Sequence, residues 1–202
     1  MKLSTISALC LSVFASIAAA APTPASQPSS STTVAVSKDT YISKSCPTCA
    51  HGGEKELKMN GADGSDTKIL LRFAIPEAAL NGPDKIESCT LQLPTPNVVG
   101  RDINRYTMVQ VATADNADWD ESKVNYSNAP KSKVWIEEGT LQKGKTEFDP
   151  VNINQICWDF AKDKNRKDNN LNLYIFGNKE DKPLSFSSKE GGSPIKLVVK
   201  TK

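Results

Sequence analysis

Residues Trp119 to Pro130 read W-D-E-S-K-V-N-Y-S-N-A-P, and this stretch carries the strongest fold signal in the chain. Val124 and Tyr126 alternate with polar neighbours, and a proline closes the stretch. Such alternation is typical of a half-buried strand, so Val124 and Tyr126 are expected to face the core and Asn125 to face outward. The stretch therefore predicts β structure, and only its beginning, Trp119 to Glu121, remains a candidate for function.

Short alternating segments recur on both sides of this stretch. Examples are Val34 to Val36, Leu57 to Met59, Cys89 to Leu93 and Leu171 to Ile175, with clusters of Gly, Pro, Asn and Asp between them. Lys68 to Ile75 is a more continuous apolar run, which fits a central strand. Eight or more such segments predict an all-β fold, a β-sandwich of jelly-roll type.

One segment has helical periodicity instead. Asp149 is a suitable N-cap, and Pro150 suits the first helical position. Ile153, Cys157 and Ala161 then share one face. The sequence predicts one short helix over about 149–162.

The first twenty residues have the composition of a secretory signal peptide, with Lys2 at its start and small residues, Ala18 to Ala20, at its end. We expect cleavage after Ala20. Residues 21–32 are rich in Pro, Ser and Thr and predict a disordered lead, so that 33–202 forms the single domain. The mature protein is expected to be secreted, to the extracellular space or the cell wall.

The charge balance argues against several classes of partner. The chain has 25 Lys and Arg against 23 Asp and Glu, and cleavage removes only Lys2, which leaves 24 − 23 = +1. This balance favours neither nucleic acid nor a membrane surface as a partner. No later apolar stretch has the length of a membrane span. We expect a monomer.

Four cysteines remain after cleavage, and in an oxidising compartment they allow three disulfide pairings. Cys89 shares the apolar parity of its strand and Cys157 lies on the apolar helix face, which predicts a bridge worth about 4 kcal/mol. Cys46 and Cys49 then form a local bridge worth about 2 kcal/mol. The alternatives for this pair are a redox motif, which lacks its βαβ context, and a metal site with His51, which lacks a fourth ligand.

The order of the motifs resembles the DNRLRE domain, also classified as carbohydrate-binding module family 96. The resemblance extends from about Thr33 to Lys202, and it departs at Asn125-Tyr126, where the family has Thr-Trp. It implies a β-sandwich that binds polysaccharide without catalysis. The motifs that carry it include Lys38-Asp39-Thr40-Tyr41-Ile42, Leu57-Lys58-Met59, Leu71-Arg72-Phe73, Trp119 to Pro130, and Phe186-Ser187-Ser188-Lys189-Glu190.

Sugar rings stack on exposed aromatic faces, so the aromatic residues are the first candidates for ligand binding. Trp119, Trp135 and Tyr106 are the candidates, with core packing as the competing explanation for each tryptophan. The acidic polysaccharides bound by the family imply basic partners, for which Arg101 and Arg105 are candidates.

Asp39 and Glu190 are candidates for a metal site. They fall in the first and last strand motifs, which jelly rolls often bring side by side, and oxygen ligands suit a structural calcium ion. The competing roles for these carboxylates are helix or turn caps and ion pairs with Arg72.

Asn125-Tyr126-Ser127 is an N-glycosylation sequon, and the outward parity of Asn125 favours a glycan there.

Catalysis has little support in the sequence. His51 is the only histidine, and the acids Asp118, Asp120 and Glu121 are glycosidase candidates by proximity alone. The sequence therefore predicts a secreted, non-catalytic carbohydrate-binding domain. The alternatives are an extracellular surface or effector protein that binds another protein, and a polysaccharide-degrading enzyme.

Overall fold

The computed structural model of the protein describes residues 29–60, 67–97, 107–177 and 183–202, with the backbone alone at 134–136. Within these ranges the chain forms ten strands, two α-helices and two short 3-10 helices, Pro83–Lys85 and Lys189–Gly191. The α-helices are α1 (Glu77–Leu80) and α2 (Asn154–Lys162). The strands are β1 (Ser30–Ser43), β2 (Glu56–Met59), β3 (Thr67–Ala74), β4 (Ile86–Gln92), β5 (Thr107–Ala114), β6 (Ser132–Leu141), β7 (Val151–Asn152), β8 (Asn170–Gly177), β9 (Leu184–Ser187) and β10 (Lys196–Thr201).

Eight strands form one antiparallel sheet in the order β6-β5-β8-β3-β1-β10-β4-β7, and β2 pairs with β9. Strand β1 belongs to both halves of the sheet: residues 30–35 pair with β10, and residues 36–43 pair with β3, with a shift in register between Val36 and Lys38. The sheet curls, and its edge strands meet where Val151 of β7 packs over Gly139 of β6. A Cβ atom at position 139 would lie 2.4 Å from Cγ2 of Val151, so this contact requires glycine. The predicted all-β sandwich with one short helix is confirmed.

Strand β3 is buried on both faces, which explains its continuous apolar sequence. Ile69, Leu71 and Phe73 point into the main core. Leu70 points the other way, into a second cluster that also contains Trp119. Each such side chain contributes about 1.5–3 kcal/mol when fully buried. Because β3 pairs with β1 on one side and β8 on the other, its predicted place as a central strand is confirmed.

Helix α2 begins later than predicted. Val151–Asn152 pairs with β4 as strand β7, and the N–H of Ile153 donates to a β4 carbonyl at 3.0 Å. The backbone ahead of the helix is therefore used by the sheet. The N–H of Asn154 then donates to Oδ1 of Asn152 at 2.9 Å. The predicted helix start at Asp149-Pro150 is wrong for this reason.

Both predicted disulfides are present. Cys89–Cys157 joins β4 to α2 across 68 residues, and Cys46–Cys49 closes the turn after β1 across 3 residues. The inward parity of Cys89 and the apolar helix face of Cys157 are what bring the long bridge into the core, where both residues are buried.

The domain also begins earlier than the predicted boundary at residue 33. Ser30, Ser31 and Thr32 lie in β1 and pair with Thr201, Lys200 and Val199 of β10. Backbone pairing orders these residues although they carry no apolar side chain.

Among the described residues, no helix has the length and apolar character needed to cross a bilayer.

Residues Trp119 to Pro130 form turns, so the strand predicted there is wrong. The N–H of Val124 donates to the carbonyl of Asp120 at 2.8 Å, and that of Ala129 donates to the carbonyl of Asn125 at 2.9 Å. The side chains of Asp120 and Asn125 each accept a backbone N–H two residues ahead, the bond that makes these residue types favour turns. Val124 is buried as expected, whereas Asn125 is half-buried in a turn.

Candidate functional site

An open cleft of about 680 Å³ lies between the end of β1, strand β2 and the start of β9, and we name it the β1–β2 cleft. Its volume falls in the range of ~300–1,000 Å³ that is usual for ligand sites. Apolar atoms form one part of its wall, supplied by Tyr41, Met59 and Leu184 among others. The polar lining consists of Ser43, Ser45, His51, Glu56, Lys58, Asn60, Thr67, Asn97 and Ser185.

Four side chains at this cleft hold one another in place. The rings of Tyr41 and His51 stack with centroids 4.0 Å apart and an angle of 15° between their planes. The carboxylate of Glu54 accepts a hydrogen bond from the Tyr41 hydroxyl at 3.0 Å and binds Nδ1 of His51 at 2.8 Å. Nζ of Lys58 lies 3.2 Å from the same carboxylate and 5.3 Å from the centroid of the Tyr41 ring. The cleft is therefore organised before any ligand arrives.

The charges at the cleft follow from these contacts. Burial raises the pKa of Glu54, but the hydrogen bonds from His51, Tyr41 and Lys58 outweigh it and leave that pKa below its ordinary value. The hydrogen bond to Glu54 raises the pKa of Lys58, with a further contribution from the Tyr41 hydroxyl. The carboxylate and the ammonium group thus both stay charged at neutral pH.

The loop that carries His51 packs directly against the Trp119 to Pro130 stretch. A Cβ atom at Gly52 would lie 1.9 Å from the carbonyl oxygen of Glu121, so the close approach of the two backbones requires glycine at position 52. The N–H and the hydroxyl of Ser127 both donate to the carbonyl of Pro47 at 3.0 Å. The two loops are therefore packed against each other along their backbones.

The structure also brings together Asp39, Glu121 and Glu190, which we name the acidic cluster. One carboxylate oxygen from each lies within 4.8 Å of the others. The sequence predicted that Asp39 and Glu190 lie side by side, and the geometry agrees. It adds Glu121, which sequence reasoning grouped with Trp119 as a candidate acid and did not connect with β1.

Trp119 cannot serve as an exposed sugar platform. Its side chain is buried, with 6% of the residue exposed, and Nε1 donates to Oδ1 of Asn172 at 3.1 Å. Cζ of the Arg72 guanidinium lies 5.7 Å from the centroid of the Trp119 ring, and Nζ of Lys38 lies 5.6 Å from it. The ligand role predicted for Trp119 is wrong because these contacts and the second cluster enclose the indole.

The carboxylates beside Trp119 are also engaged in structural contacts. Asp118 pairs with Lys38 at 2.9 Å and with the buried guanidinium of Arg72. Asp120 accepts the N–H of Ser122 at 2.9 Å. Hydrogen bonds to Ser122 lower the pKa of the Asp120 carboxyl to about 2, so it stays ionised.

The ligand-binding roles of Trp135, Tyr106, Arg101 and Arg105 stay predictions. Trp135 lies on β6, but its side chain is outside the described residues. Arg101, Arg105 and Tyr106 also lie outside the described residues.

The comparison with known proteins agrees with this architecture. The family model described as carbohydrate-binding module family 96 matches residues 30–201. The chain belongs to carbohydrate-binding module family 96. No curated protein matches it. In this carbohydrate-binding module, the shared motif residues Leu71, Arg72, Phe73 and Trp119 are buried and hold the fold together.

Sequence reasoning overlooked the cleft of this family 96 module. Tyr41 lies inside the first shared motif, where its role is indistinguishable from core packing. Lys58 is the variable middle residue of the motif Leu57-Lys58-Met59 and His51 lies in the loop before it, and only the fold brings both to Tyr41. A lone histidine five residues before the Glu-x-Lys run of Glu56 to Lys58 was the available signal.

Proposed function

We propose that the protein is a secreted, non-catalytic carbohydrate-binding domain whose β1–β2 cleft binds cell-wall or extracellular polysaccharide. The observation that carries this proposal is the cleft itself, which in a family 96 module presents exposed charged and amide side chains and is braced from within by the buried Tyr41 ring stacked on His51.

The chemistry of the lining suits sugar hydroxyls, which both donate and accept hydrogen bonds. The ammonium of Lys58 is a donor, the carboxylate of Glu56 is an acceptor, and the amide of Asn97 is both. Nδ2 of Asn97 donates to Oε1 of Glu56 at 3.2 Å, which fixes the two side chains relative to each other. The exposed ring of Pro183, on the apolar part of the wall, offers a surface for the C–H face of a sugar ring.

A panel of soluble and insoluble polysaccharides tests the proposal, with binding measured by affinity electrophoresis and pull-down. We expect Lys58→Met and Glu56→Gln each to weaken binding about 10-fold or more, because each removes a charge-assisted hydrogen bond. Both side chains are exposed, so the melting temperature should change little. Lys200→Met and Glu87→Gln are matched controls, since both lie exposed on strands away from the cleft.

Three results would contradict the proposal. Equal losses in the control pair would place binding elsewhere on the surface. Retention of a secreted or wall protein with no polysaccharide bound would favour the protein-binding alternative. Release of reducing sugar, lost in Glu54→Gln, would favour the enzyme.

Secretion and glycosylation belong to the same proposal. Mass spectrometry of the secreted protein should find its N-terminus at Ala21 and a glycan at Asn125. Asn125 lies half-buried in a turn, where its Oδ1 accepts the N–H of Ser127 at 3.0 Å and its Nδ2 donates to the carbonyl of Lys123 at 3.3 Å. An unmodified Asn125 in protein from a glycosylating host would contradict the predicted glycosylation.

A further inference from the structure

Three separate parts of the fold supply the acidic cluster. Asp39 comes from the middle of β1, Glu121 from the turn after Trp119, and Glu190 from the short helix Lys189–Gly191. The N–H of Asp39 donates to Oε1 of Glu121 at 2.6 Å, which aims the Glu121 carboxylate at the strand. Backbone contacts therefore hold Asp39 and Glu121 in place, whereas Glu190 is exposed at the edge of the cluster.

Within the described part of the chain, Asp39 is a buried acid with one unpaired carboxylate oxygen. It is 1% exposed, and its Oδ2 accepts the N–H of Lys189 at 2.8 Å. Its Oδ1 is buried without a hydrogen-bond partner among the described residues. A buried carboxylate oxygen without a partner costs free energy, so such oxygens are usually bound to a donor or a cation. Burial, together with the nearby Glu190 and Glu121, raises the pKa of Asp39 to about 6.

The spacing of the cluster matches one cation with oxygen ligands. Calcium–oxygen distances are about 2.3–2.6 Å, so two ligands on opposite sides of one ion are about 4.6–5.2 Å apart. The three carboxylate oxygens lie within 4.8 Å of one another, inside that limit. All three ligands are oxygens, with no histidine or cysteine among them, which favours calcium over zinc or copper.

The charge of the cluster also fits. Three carboxylates and the ammonium of Lys189 give −3 + 1 = −2, the charge that one divalent cation neutralises. Nζ of Lys189 pairs with Oε2 of Glu121 and lies 3.5 Å from Oε1 of Glu190, so it partly occupies the same carboxylates. Lys38 and Arg72 are directed to Asp118 instead.

We propose that Asp39, Glu121 and Glu190 form a calcium site in which the buried Oδ1 of Asp39 is the central ligand. Bound calcium joins β1, the Trp119 to Pro130 stretch and the Lys189–Gly191 helix. The site lies outside the β1–β2 cleft, and the proposal does not depend on polysaccharide binding.

Calorimetric titration of the chelator-treated full-length protein with CaCl₂ tests the site. We expect one calcium per chain, and a melting temperature several degrees higher at ~100-fold excess of calcium over the Kd. Glu190→Gln should weaken binding at least 10-fold, because it removes one charged ligand and leaves an exposed, easily tolerated amide. MgCl₂ should bind more weakly, since magnesium requires a tighter octahedral arrangement.

Two further variants separate a ligand role from a structural one. Asp39→Asn should be as stable as wild type without calcium, or more stable, because it removes a buried charge, yet calcium should no longer stabilise it. Lys189→Met should bind calcium several-fold more tightly, because it removes the competing ammonium. Glu87→Gln, on the exposed face of β4, should titrate like wild type.

The proposal is overturned if wild type shows neither calcium heat nor a rise in melting temperature. It is also overturned if Asp39→Asn keeps the full calcium response, or if Glu87→Gln loses as much affinity as Glu190→Gln.

Discussion

At the scale of single residues, Arg72 and Trp119 show why the recognisable motifs of this family identify a fold. Arg72 is 4% exposed, and its Nε donates to Oδ1 of Asn172 at 2.9 Å. The same amide oxygen accepts from Nε1 of Trp119 at 3.1 Å. One asparagine thus joins a β3 guanidinium to the tryptophan that follows β5. Partners of this kind are 53 and 100 residues apart in the sequence, so local periodicity cannot reveal them.

We predict that Trp119 matters for stability and not for ligand binding. Trp119→Phe should lower the free energy of unfolding by about 1–2 kcal/mol, because one buried hydrogen bond and some packing are lost. Trp119→Ala should lower it by about 3–5 kcal/mol. Urea denaturation measures both losses. The affinity of the folded Phe variant for polysaccharide should equal that of wild type, and a stable Phe variant without binding would show that the indole contacts the ligand.

At the scale of elements, alternation in the sequence found most strands, and its failures have physical causes. The inward positions of β6 near its end are Glu137, Gly139 and Leu141, where the glycine makes room for Val151, so no apolar alternation exists to be read. Strand β7 has two residues and is too short for any period. The Trp119 to Pro130 stretch imitates a strand because Val124 and Tyr126, two residues apart, both turn toward the second cluster although the backbone between them forms turns.

The two disulfides should differ in what they stabilise. Replacing both Cys89 and Cys157 by alanine should lower the free energy of unfolding by about 4 kcal/mol, because that bridge closes a long loop in the unfolded chain. Replacing both Cys46 and Cys49 should cost about 2 kcal/mol or less. Non-reducing urea denaturation compares the two.

The local bridge should instead matter for binding, since Cys46 lines the β1–β2 cleft and the loop after it carries His51. We expect the Cys46→Ala, Cys49→Ala double variant to lose polysaccharide affinity while the other double variant, where it remains folded, keeps it. Equal stability losses, or the reverse pattern of affinities, would contradict this division of roles.

At the scale of the whole molecule, the family and fold class were accessible from sequence, and the cleft was not. Its lining comes from residues 41–60, Thr67, Asn97 and residues 183–185, which only the closed sandwich assembles. The same closure brings Ser30 and Thr201 together as a paired position of β1 and β10. The two ends of the domain are therefore neighbours.

A circular permutant tests that closure. A short Gly-Ser linker between Thr201 and Ser30, with new ends opened in the exposed turn at Gly144, should give a folded domain. Its melting temperature should fall by no more than several degrees, and polysaccharide binding should remain. Circular dichroism and the pull-down measure both. A permutant that forms its strands but does not bind polysaccharide would contradict the expectation that the ends of the domain lie away from the cleft.

Strand β1 carries the chain from Ser30, beside the other end of the domain, to Tyr41 in the cleft, a distance of 41 − 30 = 11 residues. At about 3.3 Å per residue this is roughly 36 Å of strand before the bend is taken into account. Because this run of strand separates the cleft from both paired ends, a fusion partner or surface linker joined to either end is expected to leave the cleft open.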